Sequence, residues 1–133
     1  MTMLKQIFTI FFLFAVAAYT NAQVNPAACT TFHTGQFSYR DSATDAIVQV
    51  KRTKKLQTEK NEKTGLVTKH RITWLSDCVY KLTQTWASSK AWRKRNKSWN
   101  SYTIVSVNEN TYTYSCNCKD GTRIGGPMVK MSF

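Results

Sequence analysis

Two imidazoles, four thiols and seven carboxylates are the groups in this 133-residue chain best suited to acid–base, nucleophilic or metal chemistry, and their spacing favours none of the three. His33 and His70 have no companion at the separations that hold a metal ion, so no metal site is expected. His70 shares the parity of Ile72 and Trp74 and reads as a packed histidine rather than a general base. The acids Asp41, Asp45, Glu59, Glu62, Asp77, Glu109 and Asp120 fall mostly at turn signals, which leaves few candidates for a paired-carboxylate hydrolase. There is no Ser-His-Asp or Cys-His context and no glycine-rich phosphate loop, and no cofactor is expected. Enzymatic activity is the weaker class, its one form being a small hydrolase that uses His33 or His70 with a lysine.

Binding chemistry is better represented. Residues Ser88 to Asn100 read SSKAWRKRNKSWN, with Lys90, Arg93, Lys94, Arg95 and Lys97, no acid, and Trp92 and Trp99 seven apart. Cations neutralise phosphate or sulfate while indoles stack on bases or sugars or settle into a lipid interface, so these seven are the expected polyanion-binding residues. The alternative is a solvated loop whose two tryptophans fold back over the protein. A second basic cluster, Lys51, Arg52, Lys54 and Lys55, would strengthen the binding reading if both clusters met at one end of the fold. Arg52, Gln57 and Asp77 form a different constellation: guanidinium, amide and carboxylate that suit a polar anchor in an apolar cavity. With Trp74 and Tyr80 they are the expected ligand-binding residues. The alternative there, slightly preferred, is a turn-capping Asp77 and an ordinary surface Arg52, with the interior filled by Trp74, Trp86 and the tyrosines and no cavity left.

The elements that must position these residues begin after an export signal. Lys5 precedes a nearly continuous apolar run, Ile7 to Ala18, followed by Tyr19-Thr20-Asn21-Ala22, the order of a secretory signal peptide cut after Ala22. The run is too short to span a bilayer, which takes about 20 apolar residues. Cys29 follows Asn25-Pro26-Ala27-Ala28 rather than a lipobox, so a lipid anchor is not expected. The remaining 111 residues, 23–133, carry a net charge of +11 and make one domain. The expected location is the periplasm or the extracellular space.

Export makes disulfides the first reading of the cysteines. Cys29 with Cys78 is the preferred pair, leaving Cys116 and Cys118 as a strained local bridge or as two thiols. On a regular strand those two would point to one face with Cα atoms about 6.5 Å apart. The competing pairings join Cys29 to one of them and Cys78 to the other, and a four-cysteine zinc site lacks the usual C-x2-C pairs.

The exported part has four leucines against eight valines, fifteen threonines, five tyrosines and four tryptophans, a composition suited to pleated surfaces. Period-two alternation recurs, as in Leu66, Thr68, His70, Ile72 and Trp74, or Cys78, Tyr80, Leu82, Gln84 and Trp86. Turn signals at Asp41-Ser42, Asn61 to Gly65, Asn108-Glu109-Asn110 and Asp120-Gly121 separate the runs. The pattern predicts strands near 35–40, 45–52, 55–61, 66–75, 78–87, 101–108, 111–118 and 122–131, and no helix of ten residues or more. An all-β, antiparallel up-and-down meander of about eight strands follows, closed or partly open as a barrel, with a sandwich as the other solution. Gly125-Gly126-Pro127 reads as a bulge or kink in the last strand.

Cys29-x-x-Phe32-x-Thr34-Gly35-x-Phe37, then Arg52 and Gln57, then Ile72-Thr73-Trp74-Leu75-Ser76-Asp77-Cys78 with Tyr80 and Leu82, resembles a family of small exported bacterial proteins without an established biochemical function. The resemblance covers Cys29 to Leu82 and implies a lipocalin-like β-meander with the family's two spaced cysteines at Cys29 and Cys78. The basic segment and the Cys116/Cys118 pair lie beyond it. The expected function is that of an exported barrel holding a small apolar or amphipathic ligand, the first alternative being a binder of an anionic polymer or surface. No dedicated nucleic-acid motif is present.

Overall fold

The computed structural model describes residues 23–95, 99–119 and 121–132, so the expected signal peptide and Lys97 lie outside the described residues. Eight strands run in sequence order: β1 Gly35–Asp41, β2 Ala46–Arg52, β3 Leu56–Asn61, β4 Val67–Ser76, β5 Val79–Ala87, β6 Trp99–Asn108, β7 Thr111–Cys118 and β8 Gly121–Lys130. Each pairs antiparallel with the next, and β8 returns to β1 to close the barrel. Closure removes the unpaired edges that an open meander would expose. The seam is short, with Phe37 opposite Lys130 and Ser38 opposite Val129.

Alternation decides which side chains enter the barrel. On β2 the burial alternates through Ala46, Val48, Val50 and Arg52, the inward parity that the sequence sets. Phe37, Ile72, Tyr80, Leu82, Ile104, Tyr112 and Met128 complete the core from the other strands. Tight turns fit this register where a residue adopts a left-handed backbone, as at Asp45 (φ 53) and Glu109 (φ 52). The expected break in β8 is a bulge: Gly126 and Pro127 stand opposite the single residue Thr113. A side chain at Gly126 would meet the Tyr112 carbonyl at 3.0 Å, so the close approach requires glycine.

The two ends of the barrel differ. Hairpins β2–β3, β4–β5 and β6–β7 turn at one end, which a plug closes. The plug is a short helix, α1 (Pro26–Thr30), capped by the Asn25 side chain accepting from the Ala27 N–H, and followed by the buried Phe32. The Cys29–Cys78 disulfide ties the plug to the β4–β5 hairpin, with Cα atoms 5.2 Å apart. Phe32 packs edge-on to Tyr112 at 4.9 Å between ring centroids and meets Phe37 at 6.4 Å. Hairpins β1–β2, β3–β4 and β7–β8 turn at the other end.

One local expectation changes, and the open choice between a local bridge and two thiols at Cys116 and Cys118 is decided for the bridge. Ser88 to Asn100 is not merely a loop or a pair of strand extensions: Lys90–Arg95 form a helix, α2, and β6 begins at Trp99. Six residues rich in Lys, Arg and Ala favour helix by propensity, but a segment this short has no apolar period to reveal it. Cys116 and Cys118, both buried on the inward parity of β7, are bonded to each other, with Cα atoms 5.2 Å apart. All four cysteines are thus paired.

Candidate functional site

The barrel interior changes character at Gln57. Toward the plug, Arg52 is 2% exposed and every arm of its guanidinium is occupied. Its Nε donates to Gln57 Oε1 at 2.8 Å, Nη1 to the Phe32 carbonyl at 2.8 Å and Nη2 to the Tyr112 hydroxyl at 3.1 Å. Tyr112 and Tyr80 share a hydrogen bond of 3.1 Å. The rings of Phe37 and Tyr80 lie 4.8 Å from the guanidinium carbon and that of Trp74 5.7 Å, so neutral dipoles and ring faces compensate the buried charge. Burial pushes the Tyr80 pKa well up, which keeps that hydroxyl a neutral partner.

Toward the other end the same inward parity continues with polar residues, and a cavity of about 590 Å³ opens. Tyr39, Tyr102 and Trp92 supply aromatic walls, and Val48 and Leu66 the aliphatic ones. Hydroxyl, amide, carboxylate and imidazole side chains make up the rest, among them Thr68, Asn61, Gln84, Glu59 and His70. Gln84 Nε2 donates to the Trp92 carbonyl at 3.0 Å, which holds α2 against the cavity mouth. This volume and mixed lining fall in the range of small-molecule pockets, about 300–1,000 Å³.

Glu59, on β3, lies at the centre. Gln57 Nε2 donates to its Oε1 at 2.7 Å, so one column of hydrogen bonds runs from Phe32 through Arg52 and Gln57 into the cavity. Its Oε2 has looser neighbours: the Tyr39 hydroxyl at 3.4 Å and His70 Nε2 at 3.9 Å. His70 Nε2 also lies 3.0 Å from Thr68 Oγ1. Burial, then the Glu59 charge, raises the Tyr39 and Tyr102 pKa values. Burial and the neighbouring Tyr102 push Tyr114 up to about 12. The cavity tyrosines are therefore neutral donors throughout the physiological range.

The structure thus brings together Arg52, Gln57 and Tyr80, with Trp74 alongside at 4.8 Å from the Tyr80 ring, but as a filled floor. None of the five expected ligand-binding residues lines the cavity. Asp77 stands apart on the exposed β4–β5 turn, where only its backbone carbonyl takes part, accepting from His33 Nε2 at 2.8 Å. His33 stacks on Trp74 at 3.7 Å. His70, expected as a packed histidine, instead lines the cavity beside Glu59.

Of the expected polyanion-binding residues, Lys90, Trp92, Arg93 and Lys94 are exposed on α2, Arg95 ends that helix, and Trp99 is exposed on β6. Lys51, Lys54 and Lys55 flank the β2–β3 turn at the plugged end, and Arg52 is buried. The two basic clusters therefore occupy opposite ends of the barrel.

Sequence reasoning missed Tyr39, Glu59 and Tyr102. The signal was parity: Gln57, Glu59 and Asn61 share one face of β3, continuing the face that pairs with buried Arg52. No group of three or more metal-ligating side chains converges among the described residues. No family model, no curated protein and no solved structure matches this chain.

Proposed function

We propose that this protein is an exported binding module whose open-ended cavity holds a small amphipathic molecule. The observation that carries the reading is the asymmetry of the interior: a disulfide-tethered plug and a saturated Arg52 network close one end, and a mixed-lined cavity of about 590 Å³ occupies the other. Ten of the fifteen described lining residues carry polar side chains other than a phenol or indole, so a purely apolar ligand fits less well than one with donors and acceptors. An oxidising compartment suits a chain with all four cysteines paired, and the apolar segment behind Lys5 supplies a route to it. The same outlook keeps the chain beside the small exported family that the Cys29 to Leu82 motifs resemble.

A neutral naphthylamine dye, N-phenyl-1-naphthylamine, is expected to bind the exported chain at one site with enhanced emission. Leu66→Trp fills the mouth from the β3–β4 hairpin and should weaken that binding at least tenfold, while Leu56→Trp on the outer surface leaves it unchanged. Equal binding by both variants would refute a cavity site. A hydrolase would use His70 as base and Glu59 to orient it; at 3.9 Å the pair is not hydrogen-bonded, so binding takes precedence.

A second reading has its own support on the outer surface. β4, β5 and β6 carry no acid, and their outer faces present Lys69 over the Trp86 ring at 5.3 Å and Lys81 over Trp99 at 5.4 Å. Such a face suits an anionic polymer. The charge reversals Lys69→Glu and Lys81→Glu together should lower the salt needed to elute the protein from heparin; unchanged elution would remove this reading.

A further inference from the structure

We infer that the ligand of the open-end cavity carries a protonated amine, with Glu59 as its counter-ion and the rings of Tyr39, Tyr102 and Trp92 around it. The inference rests on the cavity-binding reading and narrows it to one charge class. The chain has 19 Lys and Arg against 7 acids, yet among the described residues neither Lys nor Arg lines this cavity, whereas Asp41 and Glu59 do. Asp41 is occupied at the β1–β2 turn, accepting from the Thr44 hydroxyl at 2.6 Å and the Ala43 N–H at 3.3 Å. Glu59 is the acid with capacity to spare: Oε1 holds Gln57 at 2.7 Å, but among the described residues Oε2 has only the 3.4 Å and 3.9 Å approaches of Tyr39 and His70. Its side chain keeps 20% exposure on the cavity side. An N–H donor of an ammonium group would make a charge-assisted bond to that oxygen at about 2.7–2.9 Å. Aromatic faces attract the same cation and reject an anion.

Opposing charges are weaker in effect. Arg52 has all its hydrogen-bonding arms committed behind Gln57. Lys63, Lys90, Arg93 and Lys94 near this end are exposed to solvent, and Arg123 acts on Tyr102 and Tyr114 from an exposed position. Exposed charges are screened over about 8 Å at physiological ionic strength, whereas a ligand in the cavity meets Glu59 at contact.

Three probes of one shape separate the charge classes: 2-phenylethylamine, 2-phenylethanol and 3-phenylpropanoate, titrated against the exported chain with the amide resonances of Leu66 and Tyr102 and the Leu66 methyl resonances as the localised readout. The amine is expected to bind at least tenfold more tightly than the alcohol, and the carboxylate most weakly. Glu59→Gln retains an acceptor for Gln57 and should abolish the amine preference while leaving the alcohol within about twofold. Equal binding of amine and alcohol, or a preference that survives Glu59→Gln, overturns the inference and leaves the cavity reading standing. Tightest binding by the carboxylate overturns it in favour of the exposed cations around the mouth. If no probe shifts these resonances, the cavity reading falls with it. The wild-type comparison decides the matter even if the variant is poorly folded.

Discussion

Replacing Arg52 by methionine is expected to destabilise the barrel by about 3–5 kcal/mol, read from the urea midpoint of residues 23–133. The substitution keeps most of the side chain's length and removes only the guanidinium. Gln57 Oε1, the Phe32 carbonyl and the Tyr112 hydroxyl then lose their donor inside the barrel, where water does not replace it freely. Removing one member of a buried polar cluster costs more than replacing the whole cluster with apolar groups, since the remaining members stay desolvated and unpaired. Arg52→Lys keeps the charge but cannot span three acceptors lying in different directions, so an intermediate loss is expected. A change below about 1 kcal/mol for Arg52→Met would show that packing by Phe37, Tyr80 and Tyr112 alone holds this end. The loss should propagate: Glu59 takes its orientation from Gln57, so ligand affinity should fall although Arg52 does not line the cavity.

The double substitution of Cys29 and Cys78 by serine should remove about 4 kcal/mol, the chain-entropy value for a loop of 49 residues. Changing both avoids leaving a thiol to exchange with the Cys116–Cys118 bridge. Against a total stability of about 5–15 kcal/mol for a domain of this size, that is a large fraction. The effect should be local first. The plug retains the Arg52 bond to the Phe32 carbonyl and the Phe32 ring contacts, but only five helical residues precede it and they contribute little alone. Limited proteolysis should therefore cut within residues 23–34 well before the barrel strands, while dye binding at the opposite end persists. Uniform cleavage across the chain, or a midpoint unchanged from wild type, would contradict the role given to the tether.

Much of the fold was legible because β-structure writes its geometry into parity. Val48, Val50 and Arg52, or Tyr112, Tyr114 and Cys116, place their side chains on one face whatever they pair with, and Asn, Asp and Gly between the runs mark the turns. All eight strands accordingly lie within two residues of their expected bounds. Arg52 with Gln57 was legible for the same reason: two residues flanking a short turn become cross-strand partners. The cavity was not. Glu59 and Gln84 look like solvent-facing residues in a sequence and His70 like a packed one, because inward polar positions at an open barrel end break the usual rule that the inner face is apolar. Asp77 shows the converse: its place beside Cys78, with Arg52 and Gln57 in neighbouring strands, allowed an internal anchor, but Asp77 lies exposed on the tight β4–β5 turn, as the alternative of a turn residue had it.

By itself the sequence determined an all-β meander, the Cys29–Cys78 tether as the preferred pair and a cationic, tryptophan-bearing segment, all of which follow from residue type and local spacing. Only the tertiary structure decided that the meander closes, that the basic clusters lie at opposite ends, and that Glu59 faces a cavity while Arg52 is sealed beneath it. The physical reason is that these depend on closure of β8 onto β1 and on where the plug docks, contacts between residues far apart in sequence that no local periodicity encodes.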